Sequence, residues 1–260
     1  MMKIFKYSFF DLVRSRWSYI YFIFFMVTAL SLLYLSSDMS RTVVSLMNIV
    51  LILCPLIGTM FGVMYYYNSR EFAELLLAQP IKRSSIFLGQ YLGVSASLSL
   101  SFLLGLGIPF LFYGVLGSPE LTSFLVLLFV GVVLTFIFIA LAFVIALKNE
   151  NKIKGFGIAI VLWLFMAVIY DGLFLLSLFV FEDYPLDKVS IAATLFNPID
   201  LCRILIMLKL DISALLGYTG AVFNKFFGTS QGMIIATLFA LIWVLVPSFS
   251  LVRIAKSKDF

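Results

Sequence analysis

A chain of 260 residues with 63% apolar and only 12% charged side chains differs sharply from a soluble domain, where about a quarter are charged; its apolar surface must be buried largely in lipid. It contains no histidine, which removes His general bases, Ser-His and Cys-His nucleophile pairs and His metal sites. The formal charge of +5 reports orientation in a membrane rather than affinity for nucleic acid, and Cys54 and Cys202, each alone among apolar residues, read as small hydrophobes.

In chain order, the first element is a short amphipathic stretch. Phe5, Phe9, Leu12 and Val13 fall at helical spacing on one face, and Lys3, Lys6 and Arg14 lie largely on the other. This predicts an interfacial elbow helix leading into the first span; a plain orientation signal is the alternative. A bilayer core takes about 20 apolar helical residues, and six runs meet that requirement: 17–36, 43–67, 86–116, 121–147, 155–181 and 233–252. The first run is too long for a cleavable signal peptide and no small-residue cleavage site follows it. The basic residues set orientation. Lys3, Lys6, Arg14 and Arg16, then Arg70, Lys82 and Arg83, then Lys148, Lys152 and Lys154, then Arg253, Lys256 and Lys258 fall on one side. Arg41, Lys188, Arg203, Lys209 and Lys225 fall on the other. Both termini are therefore expected in the cytoplasm.

The connection between spans 2 and 3 is the most organised polar segment, "EFAELLLAQPIKRSSIFLGQYLG" from Glu71 to Gly93. A helix is predicted from Arg70 to Gln79, stopped by Pro80. Glu71 and Glu74 are one turn apart and share a face, early in the helix where its dipole favours carboxylates. Phe72, Leu75 and Leu76 share a neighbouring face. An acidic ridge beside an apolar ridge suits docking into a groove of a cytoplasmic partner; a solvated connection needing only charge would not expose a leucine triplet.

That segment resembles the intracellular segment of type-two ABC exporter permeases: a carboxylate-bearing helix with Leu-Leu, then Pro-Ile-x-Arg, then Gly89-x-x-x-Gly93. The resemblance implies that this is the coupling helix, with Glu71 and Glu74 meeting basic groups on an ATPase subunit. It implies that Pro80, Ile81 and Arg83 form the turn back into the membrane. Two further stretches, "WLFMAVIYDGLFLL" (163–176) and "NPIDLCRILIML" (197–208), look like the membrane subunit of the Nos-type transporter, which serves maturation of the copper enzyme nitrous oxide reductase. A Gly/Ala-rich "GYTGAVF" follows here as it does there. This closer resemblance implies a homodimer, two ATPase subunits carrying ATP and Mg (this chain binding no cofactor), and a periplasmic β-helical accessory protein. It also implies export of a sulfur-containing species.

Asp171 is the only acidic residue inside a predicted span, and no basic residue lies in any of them. An intramembrane carboxylate is expensive unless neutral, paired or facing a polar cavity. Asp171, after Tyr170, is thus either a lining residue of the translocation path or a helix–helix contact, or else a protonated structural carboxyl. Asn48 in span 2 is a weaker candidate, read as interhelical glue. The segment 197–223 carries Asp200, Arg203, Lys209 and Asp211 and is expected as helices at the outer membrane surface, or re-entrant, rather than as a seventh span. Asn197-Pro198 supplies a cap and an N1 proline, and Asp200 and Arg203, three apart, can pair. With Asn197, they are the expected contact for the periplasmic partner.

The expectation is an all-α membrane protein: a single permease domain over 1–260 with six transmembrane helices, an elbow, a cytoplasmic coupling helix and periplasmic re-entrant or surface helices before the last span. It would be a multi-pass subunit of the inner membrane, contacting lipid, its own second copy and an ATPase. An exporter of lipid, drug or ion is the alternative within the class. An intramembrane enzyme is disfavoured by the lack of histidine and of a polar cluster inside the spans. A secondary transporter is disfavoured by the lack of internal repeats.

Overall fold

A computed structural model describes residues 1–36, 38–180, 187–209 and 230–257. Among these the regular structure is helical throughout: α1 (Met2–Val13), α2 (Arg16–Ser36), α3 (Met39–Asn68), α4 (Arg70–Leu77), α5 (Arg83–Phe112), α6 (Leu121–Lys148), α7 (Lys152–Leu164), α8 (Tyr170–Val180), α9 (Asp187–Phe196), α10 (Pro198–Lys209) and α11 (Ser230–Ser257). A 3-10 turn at Val115–Gly117 follows α5, and a π-helical turn, Phe165–Ile169, joins α7 to α8. Among the described residues six helices are long and apolar enough to cross a membrane: α2, α3, α5, α6, the continuous α7–α8 and α11.

The third span ends earlier than expected. α5 stops at Phe112 rather than continuing to residue 116. Gly114 adopts φ +80°, a left-handed conformation open to glycine at little cost, and it ends the helix. The predicted stop of the coupling helix also moves: α4 closes at Leu77, before Pro80 itself, because proline already restricts the residue preceding it. Part of the outer segment, including Asp211 and "GYTGAVF", lies outside the described residues, as does the end of the fifth predicted span.

The packing centres on α6, whose Leu134, Ile137, Phe138 and Phe143 are fully buried. α3 lies against it at Gly62, where an added Cβ would stand 2.7 Å from the Cβ of Ala142; the small-residue pair Gly58 and Gly62 is what lets these helices approach. α1 is helical, with Ile4, Ser8 and Leu12 on its inner face, while Phe5 and Phe9 are only half-buried and stack at 6.0 Å. It rests on α5 at Gly89 and Gly93. A Cβ on Gly93 would come within 2.7 Å of Ser8 Cβ and 2.8 Å of the Phe5 carbonyl oxygen. The two glycines that resembled a family signature thus have a local physical task, seating α1.

α9 and α10 meet at 112°. A chain bent so far within one residue turns back on itself instead of proceeding across, so the described residues hold six crossings, and an even number would leave both ends on one side. Single cysteines at Asn151 and Ser257 should therefore react with an impermeant thiol reagent from one face, and one at Asp187 from the other, in a background lacking Cys54 and Cys202. Labelling of Asn151 and Asp187 from the same side, or of Asn151 and Ser257 from opposite sides, would exclude this topology.

Candidate functional site

Two places carry organised polarity. The first is α4, separated from α3 only by Ser69. Ala73 is its buried anchor. Glu71, Glu74 and Leu75 are exposed, Leu75 to 69%, while Phe72 and Leu76 are half-buried. An exposed leucine beside two exposed carboxylates is the mixed surface expected of a docking helix. Arg70 Nε donates to Glu74 Oε1 at 2.9 Å, an i,i+4 pair, and this hydrogen bond holds the guanidinium above its ordinary pKa. The acidic ridge is therefore partly neutralised at Glu74, a pairing readable from the spacing but missed from the sequence. Pro80 is exposed, Ile81 half-buried, and Arg83 opens α5.

The helix is fastened to its neighbours at several points. Gln90 Nε2 of α5 donates to Ser69 Oγ at 3.3 Å. Tyr67 Oη donates to the Asn149 carbonyl at 2.6 Å, and Lys152 Nζ to Asn68 Oδ1 at 3.1 Å, tying the end of α3 to the turn between α6 and α7. The Phe72 ring stacks on Tyr7 of α1, centroids 4.6 Å apart. A displacement of α4 is thus passed to α1, α3 and α5 together, since packed elements move as units rather than deform.

The second place is built on the π turn. A π turn sets backbone carbonyls out of α-helical register, and the Met166 carbonyl is taken by Asn197 Nδ2 at 2.8 Å. The same amide donates to Asp200 Oδ2 at 2.8 Å, while Asn197 Oδ1 caps α10 by accepting from Ile199 N at 3.0 Å. Arg203 Nη1 donates to Asp200 Oδ1 at 3.0 Å and to Asp171 Oδ2 at 2.7 Å. One guanidinium thus serves two carboxylates, joining α8 to α10.

This arrangement bears on three expectations. Of the roles open to Asp171, it makes a helix–helix contact, because α10 delivers Arg203 to it. Of the two placements expected for the outer segment, surface or re-entrant, α10 is not a surface helix: Ile199, Leu201, Cys202 and Ile206 are buried, and it packs on α6, α11 and α3. Asn197 and Asp200, 1% and 8% exposed, consequently face inward and offer nothing to a partner; their polar atoms serve the cap and Arg203. Tyr170 and Asn48 stand in different surroundings. The Tyr170 hydroxyl donates to the Ala193 carbonyl at 2.6 Å, fastening α8 to α9. Asn48 is exposed on α3, on one stripe with Ser45 and Ile52, so it joins no helices within the protomer. Trp243, whose Nε1 donates to the Leu195 carbonyl at 3.0 Å, is a further support of the α9–α10 turn; an indole donor in a span signals such a need.

The fold and these two places define a multi-pass α-helical membrane protein with a polar junction between two of its elements and an amphipathic helix slung between two spans. No protein-family model matches the chain. It is similar to the protein named Probable ABC transporter permease protein NosY of Stutzerimonas stutzeri, 27% identical over 212 residues, 75% of this chain and 76% of the relative. It is similar also to the protein of the same name from Pseudomonas aeruginosa, 28% identical over 186 residues, 68% and 67% of the two chains. Both relatives are named as ABC transporter permeases, and the chain is similar to them over two thirds or more of its length.

Proposed function

We propose that the chain is the membrane-spanning half of an inner-membrane exporter, paired with a second copy and driven by two cytoplasmic ATPase subunits that hold ATP and Mg. The observation that carries this is the similarity to the NosY permeases joined to the build of α4: exposed carboxylates and leucine outward, fastenings to α1, α3 and α5 inward. Closure of the ATPase pair pushes α4, and the helices it is tied to tilt as a body. Asp171 with Arg203, about a quarter exposed, and the outward Asn48 are polar groups that lipid would penalise. A polar path running between the two copies relieves that penalty, and we assign them to it. The cargo, by the Nos-type resemblance, is a sulfur-containing species for the copper cluster of nitrous oxide reductase, and a periplasmic β-helical protein receives it.

The chain, coexpressed with a tagged ABC ATPase from the same genome, should be recovered in equal amount with it, and cells lacking the chain should make a reductase deficient in its copper–sulfur centre. Failure to recover any ATPase would refute the permease assignment. Recovery of the ATPase with an intact reductase in the deleted cells would refute the cargo alone.

A further inference from the structure

Where α1, α2, α3 and α4 meet, a cavity of about 360 Å³ opens. Its walls are aromatic: Tyr7 stacked on Phe72 on one side, and Trp17 edge-on to Phe61, centroids 6.4 Å apart, on the other. Asp11 sits at its rim, exposed and without a salt bridge among the described residues. Tyr65, only 8% exposed, lines it. The Tyr65 hydroxyl faces the Ser8 hydroxyl and the Asp11 carboxylate, but neither it nor the Ser8 hydroxyl has a partner in good hydrogen-bond geometry. Natural proteins rarely leave buried hydroxyls unpaired, and such a group marks a place for a missing partner. A second, more open cleft shares Tyr7 and Asp11 and adds Lys6 and Arg14.

Aromatic faces with a carboxylate and a phenol oxygen attract a cation, while the two basic residues alongside attract a phosphate. The geometry points to a zwitterionic phospholipid headgroup of the phosphoethanolamine type as the occupant, its ammonium among Tyr7, Trp17 and Phe61 with a hydrogen bond to Asp11, whose carboxylate the Tyr65 hydroxyl faces from behind, and its phosphate on Lys6 and Arg14. The place suits a lipid: α1 presents basic and aromatic side chains immediately before a span, as helices at the membrane–water boundary do. A primary ammonium has three N–H donors to give, whereas a trimethylammonium has none, so the site selects ethanolamine over choline. Because Tyr7 belongs to α1 and Phe72 to α4, a bound headgroup braces the elbow against the docking helix.

The test uses the purified full-length chain stripped of co-purifying lipid. Phosphatidylethanolamine, phosphatidylcholine and phosphatidylglycerol of matched acyl chains are added in detergent, and retention is read by native mass spectrometry and by thermal shift. Phosphatidylethanolamine should be retained roughly tenfold more tightly than either other lipid, the scale of one charge-assisted hydrogen bond. Asp11→Asn should remove most of that preference, and Tyr65→Phe, which leaves the Asp11 carboxylate without the hydroxyl it faces, should reduce it. Tyr65→Phe should leave the melting temperature of the lipid-free chain unchanged or raised, since it deletes an unpaired buried hydroxyl. Equal retention of the three lipids, a preference untouched in both variants, or equal stabilisation by soluble phosphoethanolamine would overturn the proposal. The ATPase plays no part in these readouts, so they stand apart from the assignment above.

Discussion

Replacing Arg203 by methionine is expected to be the most damaging single change in the membrane region. Its guanidinium bonds both Asp171 and Asp200 through one nitrogen. Removing it leaves two carboxylates close together in surroundings poor in water. Breaking a buried pair from one side costs about 3 kcal/mol or more, and a large fraction of the protein should fail to reach a stable, extractable form. Asp171→Asn should be much milder, near 1 kcal/mol, the scale of a single hydrogen bond, because Arg203 keeps Asp200. A triple variant, Asp171→Leu, Asp200→Leu and Arg203→Leu, should recover most of the lost stability, since apolar replacement of a whole ion cluster is often neutral. Its transport then decides the role. Assigned to the path, the folded triple variant should not transport; a folded triple variant that transports normally would show that the charges serve structure alone.

The second large effect is expected at α4. Glu74→Lys forfeits an exposed pair worth about 0.2–1 kcal/mol and places a lysine one turn from Arg70, so the isolated subunit should insert and melt almost as before. Against basic groups on an ATPase the reversed charge costs several kcal/mol, which at 1.4 kcal/mol per decade weakens association by roughly a hundredfold. Glu71→Lys should act in the same direction and less strongly, because Leu75, the most exposed apolar contact, lies beside Glu74 along the chain. Co-purified ATPase and stimulated ATP hydrolysis are the measurements; if both match wild type in Glu74→Lys, α4 is not the docking element.

The spans were legible because length and hydropathy suffice when lipid is the solvent. The short helix α4 was legible because carboxylates, leucines and a proline occur in one short run. The polar junction was not. Asp171, Asp200 and Arg203 each read as a cost when taken singly, and 32 residues separate Asp171 from Arg203, so nothing local announces that they cancel one another. That made α10 look too charged to enter the bundle. The inner face of the elbow was misjudged for a different reason: Ser8 is polar, yet it lies inward because Gly93 leaves room for no more than a small side chain. The unpaired hydroxyls at Tyr65 and Ser8 are invisible to any periodicity.

The π turn at Phe165–Ile169 also fixes the angular phase of the fifth span. Each residue of an α-helix advances the side chain by roughly 100°, so a turn that accommodates one extra residue rotates everything after it by about that angle. Trp163, which bonds the Ile52 carbonyl on α3, and Asp171, which bonds Arg203 on α10, lie on either side of this offset. Were the span a uniform α-helix, holding the indole toward α3 would aim the carboxylate about a quarter of a revolution away from α10. The irregular turn thus lets a single rod meet two differently placed neighbours at once, and the Asn197 amide on the Met166 carbonyl is the pin that keeps the rod from slipping back into even pitch.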